Sequence, residues 1–469
     1  MDRQTFTWGR SGSRIHRTQR WVERMWLLGL LLAALLLFSI SLDSPPLLDW
    51  GEKTINLVAR EISKTSQGSW QWFYPTFKGQ PYLEEPPFLY WLIACTYNLV
   101  GNSEWTTRLP GAILSALSVP LLYGIGREIF PSRQSAIFSS LIYLTLLPVV
   151  HYGRLAIVDG TALCFVMFMM WSVLRSRRDL RWALGAGIGL ALICLTKGLL
   201  LGFLFLAIAL LFLSWDTPRL LTSGYWWLGW FLGMAPGLAW YGIPLLYGQT
   251  FITMGLLKQT LQPLGLAVGD RHRSPWYYLV ELLKFSVPWL LFWPYGLWLG
   301  WENRNWGWAK LVLVWVGVYG VAISLIVTKL PWYALPLYPA LALAGGMQLA
   351  EVWHWPSRKS FPRAWIVGLS LMALLAAGVS IYLVVIDADI SLPVISALVA
   401  LTMAIAAILV AKRDLQFIAI LFWGMYVSLM LFVTSPYWTW NWQEAESVEP
   451  VATSFQLSAT PEYSNSVVQ

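Results

Sequence analysis

A chain of 469 residues that is 57% hydrophobic and only 12% charged lies far from soluble domains, where about a quarter of residues are charged, and this excludes a water-soluble globular protein. The net charge of +8 raises nucleic acid as a partner, but the cations are scattered through short loops with no basic patch on a fold of its own, so no nucleic-acid role is expected. Cys95, Cys164 and Cys194 lie in apolar stretches without metal spacing and read as small core residues.

The N-terminal tail carries Arg3, Arg10, Arg14, Arg17, Arg20 and Arg24 and runs into an apolar stretch, Trp26 to Leu42. The pattern is that of a signal-peptide n-region, but no small-x-small cleavage site follows, so an uncleaved first span is expected. Hydropathy then predicts an all-α polytopic membrane fold of about thirteen transmembrane helices: 26–42, 107–126, 134–150, 157–174, 182–195, 199–214, 225–247, 283–300, 309–327, 332–350, 364–384, 391–411 and 415–433. The apolar run Pro87 to Gly101 is shorter, follows a Pro-Pro pair and reads as an interfacial helix.

With the N-terminus in the cytoplasm, most of the Lys and Arg, including the cluster Arg175, Arg177, Arg178 and Arg181, fall on the inner side. Counting Pro87 to Gly101 as a span would move that cluster outside. The expected organisation is a basic tail (1–25), a membrane domain (26–433) and a disordered outer tail (434–469) bearing Glu444, Glu446, Glu449 and Glu462. Two outer loops, 43–106 and 249–282, are long enough to carry chemistry.

The first loop opens on Asp49-Trp50-Gly51-Glu52, the predicted start of a helix reaching about Ser63. Asp49 and Glu52 would share a face at its positive end, as they would in a structural capping box. Glu84 and Glu85 precede the interfacial helix and suit a general base or the ligands of a hard cation. Arg154, Lys197 and Lys329 sit in very short outer connections, where ionisable groups mark a site or snorkel to the interface. The second loop adds Lys258, Arg271, His272 and Arg273, cations able to hold a phosphate, before the aromatic run Trp276-Tyr277-Tyr278. His151 lies at the outer end of a span and reads first as a helix cap.

An ordered set of segments now stands out: Leu48-Asp49-Trp50-Gly51-Glu52, Ala59-Arg60-Glu61-Ile62, Tyr82-Leu83-Glu84-Glu85-Pro86-Pro87, Tyr90-Trp91, Arg108-Leu109-Pro110, Gly153-Arg154-Leu155-Ala156 with Asp159, and Leu195-Thr196-Lys197-Gly198. Arg273-Ser274-Pro275-Trp276-Tyr277-Tyr278 and Lys329-Leu330-Pro331-Trp332-Tyr333 continue it. The set resembles the lipid-dependent membrane glycosyltransferases of the C superfamily, in the aminoarabinose transferase and protein O-mannosyltransferase branch.

The resemblance implies an enzyme that moves a sugar from a polyprenyl-phosphate carrier to a lipid, glycan or protein acceptor at the outer membrane face, without a nucleotide cofactor. It implies Glu52 and Asp49 as base or orienter of the acceptor. Arg154, Asp159, Lys197, Lys258, Arg271, Arg273, Lys329, Tyr82 and Arg108 would line the lipid-phosphate and substrate site. A divalent metal, held by some relatives, would fall to Glu84, Glu85 and His272.

Two departures stand out. The family's Asp-Glu pair aligns with Gly51-Glu52, so its Asp is missing, and the family's acid-Lys-Pro aligns with Glu84-Glu85-Pro86, so its Lys is an acid. A catalytically degenerate homologue is therefore one alternative. A transporter is another, opposed by an odd span count, no visible inverted repeats and polar residues gathered on one face.

Overall fold

The computed structural model describes residues 11–47, 51–65, 69–82, 85–246, 274–327, 329–355, 361–386 and 388–442. The chain is an integral multi-pass membrane protein built of helices; its two strands, Thr76–Phe77 and Gln80–Pro81, form one minimal hairpin. In chain order the helices used below are α1 Ser11–Ser39, α2 Gly51–Lys64, α3 Phe88–Val100, α4 Glu104–Ile129, α5 Arg133–Leu144, α6 Leu147–Arg154, α7 Val158–Ser176, α8 Trp182–Lys197, α9 Leu199–Asp216 and α10 Gly224–Leu246. They continue with α11 Tyr277–Phe285, α12 Trp293–Glu302, α13 Gly307–Leu325, α14 Tyr338–Trp353, α15 Arg363–Val385, α16 Ser391–Ala411 and α17 Gln416–Thr434.

Among the described residues eight helices are long and apolar enough to cross a membrane unaided, or nine if the bent pair α5 and α6, broken by 59°, is one span. Every one of the thirteen apolar stretches overlies helix, but several are short or interrupted. The 283–300 stretch divides into the end of α11, a 3-10 turn Trp289–Leu291 and α12, and the 332–350 stretch begins in a 3-10 helix, Pro331–Leu337, before α14. The helix α3 has 13 residues, about 20 Å, against about 30 Å of hydrocarbon.

Small residues let these helices approach closely. Side chains grown on Gly229 and Gly233 of α10 would strike the backbone of Leu184 and Ile188 on α8, and one on Gly187 would meet the Trp230 carbonyl, so α8 and α10 pack backbone to backbone through reciprocal small residues. The charges sort by end. At the end where α1 enters, Glu23 pairs with Arg127 and Arg133, Glu128 with Arg175 and Arg178, and Asp216 with Arg177 and Lys310.

The opposite end carries a second small core. The helix α2 buries Ile55, Val58, Ala59 and Ile62, one helical stripe, against Leu89, Tyr90, Ile93 and Ala94 of α3 and Val158 of α7, and exposes Lys53, Arg60 and Lys64. Glu61 ties the hairpin to α2 by accepting from the Thr76 hydroxyl and the Lys78 N–H, both at 2.7 Å. Tyr74 and Trp240 cross-link this layer to α10: the Tyr74 hydroxyl donates to the Trp240 carbonyl and the Trp240 indole to the Phe73 carbonyl, each at 2.9 Å. Burial there pushes the Tyr74 phenol up to about 12.

Candidate functional site

The two conserved-looking arginines at this end act on the backbone. Ser103 caps α4 by accepting from Thr106 N–H while Thr106 returns a bond to Ser103 N–H, and one turn later α4 presents Arg108 to the interior. Arg108 is fully buried. Its Nε and one terminal nitrogen grip the Glu52 carboxylate at 2.9 and 2.6 Å, and its remaining donors reach the carbonyls of Leu42, Pro45 and Pro46. Glu52 also accepts from Ala156 N–H at 2.8 Å and has a side chain only 1% exposed.

These contacts correct two expectations. Glu52, expected as base or orienter, has both oxygens engaged in an enclosed ion pair and anchors α2 to α4; Arg108, expected in the phosphate site, has five donors on five protein acceptors.

Arg154 and Lys329 are corrected in the same way. A helix leaves its last carbonyls without partners, and within a membrane these need a donor, best a cationic one at the negative end of the dipole. Arg154 donates to the carbonyls of Leu37 (2.8 Å) and Ile40 (2.6 Å), closing the end of α1, and reaches Val433 on α17. Lys329 donates to Ile323 (3.0 Å) and Ser324 (2.5 Å), closing α13, and burial holds its ammonium below the ordinary lysine value. Both cations expected at a phosphate are occupied as helix C-caps.

Trp438 completes this anchor. It lies in a 3-10 helix, Pro436–Trp442, so the stretch from 434, expected to be a disordered tail, begins with ordered structure; residues 443–469 lie outside those described. Its ring is covered by the guanidinium groups of Arg154 (4.6 Å) and Arg108 (5.2 Å), its indole donates to the Ser44 carbonyl, and its own carbonyl accepts from His151 Nδ1 at 2.7 Å.

Beside the anchor lies a different polar group, composed of side chains. Asp159, in the first turn of α7, and Lys197, at the last residue of α8, form an ion pair of 2.7 Å. The charge of Glu85 also bears on the Lys197 ammonium, the Tyr333 ring lies 5.8 Å beneath it, and Tyr90 donates to Glu85 at 2.9 Å. Tyr82 packs edge-on against Tyr90. Five chain segments meet here, and the departure at Glu85 has a concrete effect: one lysine stands between two carboxylates.

Of the sequence-derived candidates, the structure brings together Asp159, Lys197, Glu85 and Tyr82, and separately Glu52, Arg108 and Arg154. Asp49, Glu84, Lys258, Arg271, His272 and Arg273 lie outside the described residues. Among the described residues no three of His, Cys, Asp and Glu come together as metal ligands would. Tyr90 and Tyr333 stand in motifs quoted above without a role; Trp438 and Glu281 carried no sequence signal beyond an aromatic-rich tail and an acid in an apolar run.

A cleft of about 390 Å³ lies next to this group, lined by Leu147, Pro148, His151 and Tyr152 of α6, Glu281 and Phe285 of α11, and Pro331 and Tyr338. The fold, with a charged cluster and a cleft at one end of an apolar helix bundle, defines a polytopic membrane protein of the C-superfamily glycosyltransferase type. Residues 84–240 match the family described as dolichyl-phosphate-mannose-protein mannosyltransferase.

The chain is 29% identical over 346 residues to an undecaprenyl phosphate-alpha-4-amino-4-deoxy-L-arabinose arabinosyl transferase of Pseudomonas fluorescens, covering 70% of this chain and 61% of that one. It is 27% identical over 363 residues to the corresponding transferase of Aeromonas salmonicida, covering 73% and 63%. The chain thus spans about three-fifths of the length of these relatives.

The fold matches the crystal structure of ArnT from Cupriavidus metallidurans bound to undecaprenyl phosphate, with a TM-score of 0.71 at 22% identity over 93% of this chain and 81% of that one. The archaeal oligosaccharyltransferase AglB of Archaeoglobus fulgidus follows at a TM-score of 0.53, 14% identity, and 93% and 60% coverage. The chain is of the aminoarabinose-transferase and protein-mannosyltransferase-like type that its motifs resemble.

Proposed function

We propose that this chain transfers a pentosyl or hexosyl group from a polyprenyl-phosphate carrier to a hydroxyl or phosphate of a lipid, glycan or protein. The reaction takes place at the outer membrane face, with the N-terminus in the cytoplasm and the C-terminus outside. The observation that carries this reading is the Asp159–Lys197 pair with Glu85 beside it, a charged cluster at the loop end of a bundle whose relatives are named for transfer from undecaprenyl phosphate. Ionisable groups at a membrane boundary are costly and mark function.

In the reaction the acceptor oxygen attacks the anomeric carbon, the bond from that carbon to the phosphate oxygen breaks, and its electron pair leaves with the lipid phosphate. Single displacement inverts the anomeric centre. The acceptor's proton passes to a carboxylate, and the cluster offers Asp159 and Glu85 for that role, since Glu52 is committed to Arg108. Lys197, with Lys258, Arg271 and Arg273 of the second loop, faces the developing phosphate charge. The sugar arrives on its lipid, so no nucleotide enters.

The test is transfer from a radiolabelled undecaprenyl-phosphate sugar to an acceptor extract by the purified protein in nanodiscs. Labelled product that depends on Lys197 supports the reading. Silence of the wild type with neutral and amino-sugar carriers alike overturns it. Gly51 and Glu85 favour a second reading, a degenerate homologue that holds the carrier lipid without turning it over; binding without product would single that reading out.

A further inference from the structure

The cleft lined by Glu281 has no part in the chemistry above. Its volume suits a small-molecule site, and its lining is mostly apolar with few polar groups, the composition of ligand pockets. Glu281 sits on α11 in the run Tyr277–Phe285, amid leucine, valine and aromatic neighbours, where an acid serves no packing purpose.

The cleft adjoins the reacting cluster through one residue. Tyr152 lines it, and its phenol lies in the field of both Glu281 and Asp159. His151 and Tyr152 are held edge to face at 4.9 Å, and Tyr152 leans on Trp332 at 6.3 Å, beside the Tyr333 that underlies Lys197. A molecule reaching from Lys197 past Tyr152 enters the cleft.

The lining says which part of the carrier would do so. An ionised carboxylate only accepts hydrogen bonds, so Glu281 selects hydroxyl or ammonium donors and repels a phosphate. Tyr152, Tyr338 and Phe285 offer aromatic faces that suit the C–H side of a sugar ring or an ammonium group. A lipid tail would find no use for the acid.

We propose that this cleft seats the sugar ring of the donor, with Glu281 accepting from its hydroxyl or ammonium groups while the phosphate stays at Lys197. The proposal rests on the glycosyltransferase reading and names where that reading discriminates among sugars.

Full-length protein in nanodiscs is titrated with undecaprenyl phosphate alone, with the same lipid carrying a neutral hexose, and with the lipid carrying an aminopentose. Wild type should hold at least one sugar-bearing carrier about tenfold more tightly than the bare lipid. Glu281→Gln should lose that preference, about tenfold for one hydrogen bond to a charged group, with bare-lipid binding and melting temperature unchanged. Glu281→Asp should regain part of it.

Loss confined to the aminopentose carrier identifies an ammonium ligand and loss with both a hydroxyl; either supports the proposal. Glu281→Gln retaining full preference overturns it, as does equal weakening towards the bare lipid. A wild type that binds bare lipid and transfers sugar but shows no preference overturns this inference and leaves the glycosyltransferase reading standing. A wild type that binds no carrier and transfers nothing overturns both.

Discussion

Glu52 and Arg108, 56 positions apart, meet in an enclosed two-pronged ion pair with contacts of 2.9 and 2.6 Å. The pair fastens the first turn of α2 to the first turns of α4, and through the Leu42, Pro45 and Pro46 carbonyls it also fixes the path of the chain leaving α1. Desolvating two charges is costly, and the pair is tolerated because all of Arg108's donors and both Glu52 oxygens find partners. Its role is to fix the floor of the site.

Breaking the pair should therefore cost stability before it touches chemistry. Glu52→Gln leaves a buried guanidinium without its counter-ion and should destabilise the protein by about 3–5 kcal/mol, read as a lowered melting temperature in detergent. Arg108→Lys should be nearly as harmful, because one ammonium cannot replace a planar five-donor fork. If Glu52→Gln keeps the wild-type melting temperature but loses transfer, the anchor assignment is wrong and the base assignment returns.

Asp159 and Lys197 should behave in the opposite way. Removing either disturbs a partly exposed pair at the edge of the site, with side chains 11% and 21% exposed, so the fold should be retained. Asp159→Asn and Lys197→Met should each lower transfer by about a hundredfold, the scale of a lost acid–base or charge-stabilising group. Residues acting as a unit are not additive, so the double variant should be no worse than either single one. Additive losses in a kinetic comparison would show that the two act separately.

Legibility in the sequence followed the range of the interaction. The helices were readable because an apolar run of sufficient length needs no partner to be recognised, and α2 began within two residues of its expected start. The ion pair on Asp159 was not readable, although both partners were named, because 38 positions separate them. Arg154 and Lys329 misled for a physical reason. A cation in a short connection looks the same whether it faces a phosphate or the orphan carbonyls of a helix end, and the carbonyls that Arg154 binds belong to residues more than a hundred positions away. Trp438 was hidden in a tail whose acidic later half suggested solvation.

Lys329 gives a test based on pH. Burial lowers its folded value, so between that value and the unfolded one of about 10.4 the unfolded chain binds more protons, and stability rises with pH through that window. Below the window the cost of a buried ammonium is fully present. Wild type should thus gain stability relative to Lys329→Met as pH climbs from neutrality towards about 10.4, measured by thermal unfolding of both at matched ionic strength. A constant difference across that range would mean that Lys329 is not desolvated at the end of α13.

Gly51 begins α2, next to the anchored Glu52, where the family aligns an Asp. An acid placed there would sit in the first turn of a helix, favoured by the dipole, and would add a carboxylate at the same end of the bundle as the Asp159–Lys197 pair. Gly51→Asp should therefore raise transfer about tenfold or more, a modest share of what a positioned general base contributes, while melting within a few degrees of wild type. The measurement is single-turnover transfer with undecaprenyl-phosphate sugar under carrier excess. A gain in rate with unchanged carrier affinity would mean that the natural chain works without its family's base and relies on the carboxylates around Lys197. Equal rates would mean that those carboxylates already serve as base, and Asp159→Asn should then abolish transfer in both backgrounds. A variant that transfers where wild type is silent would make the natural protein a carrier-lipid binder whose catalysis was lost at this one position.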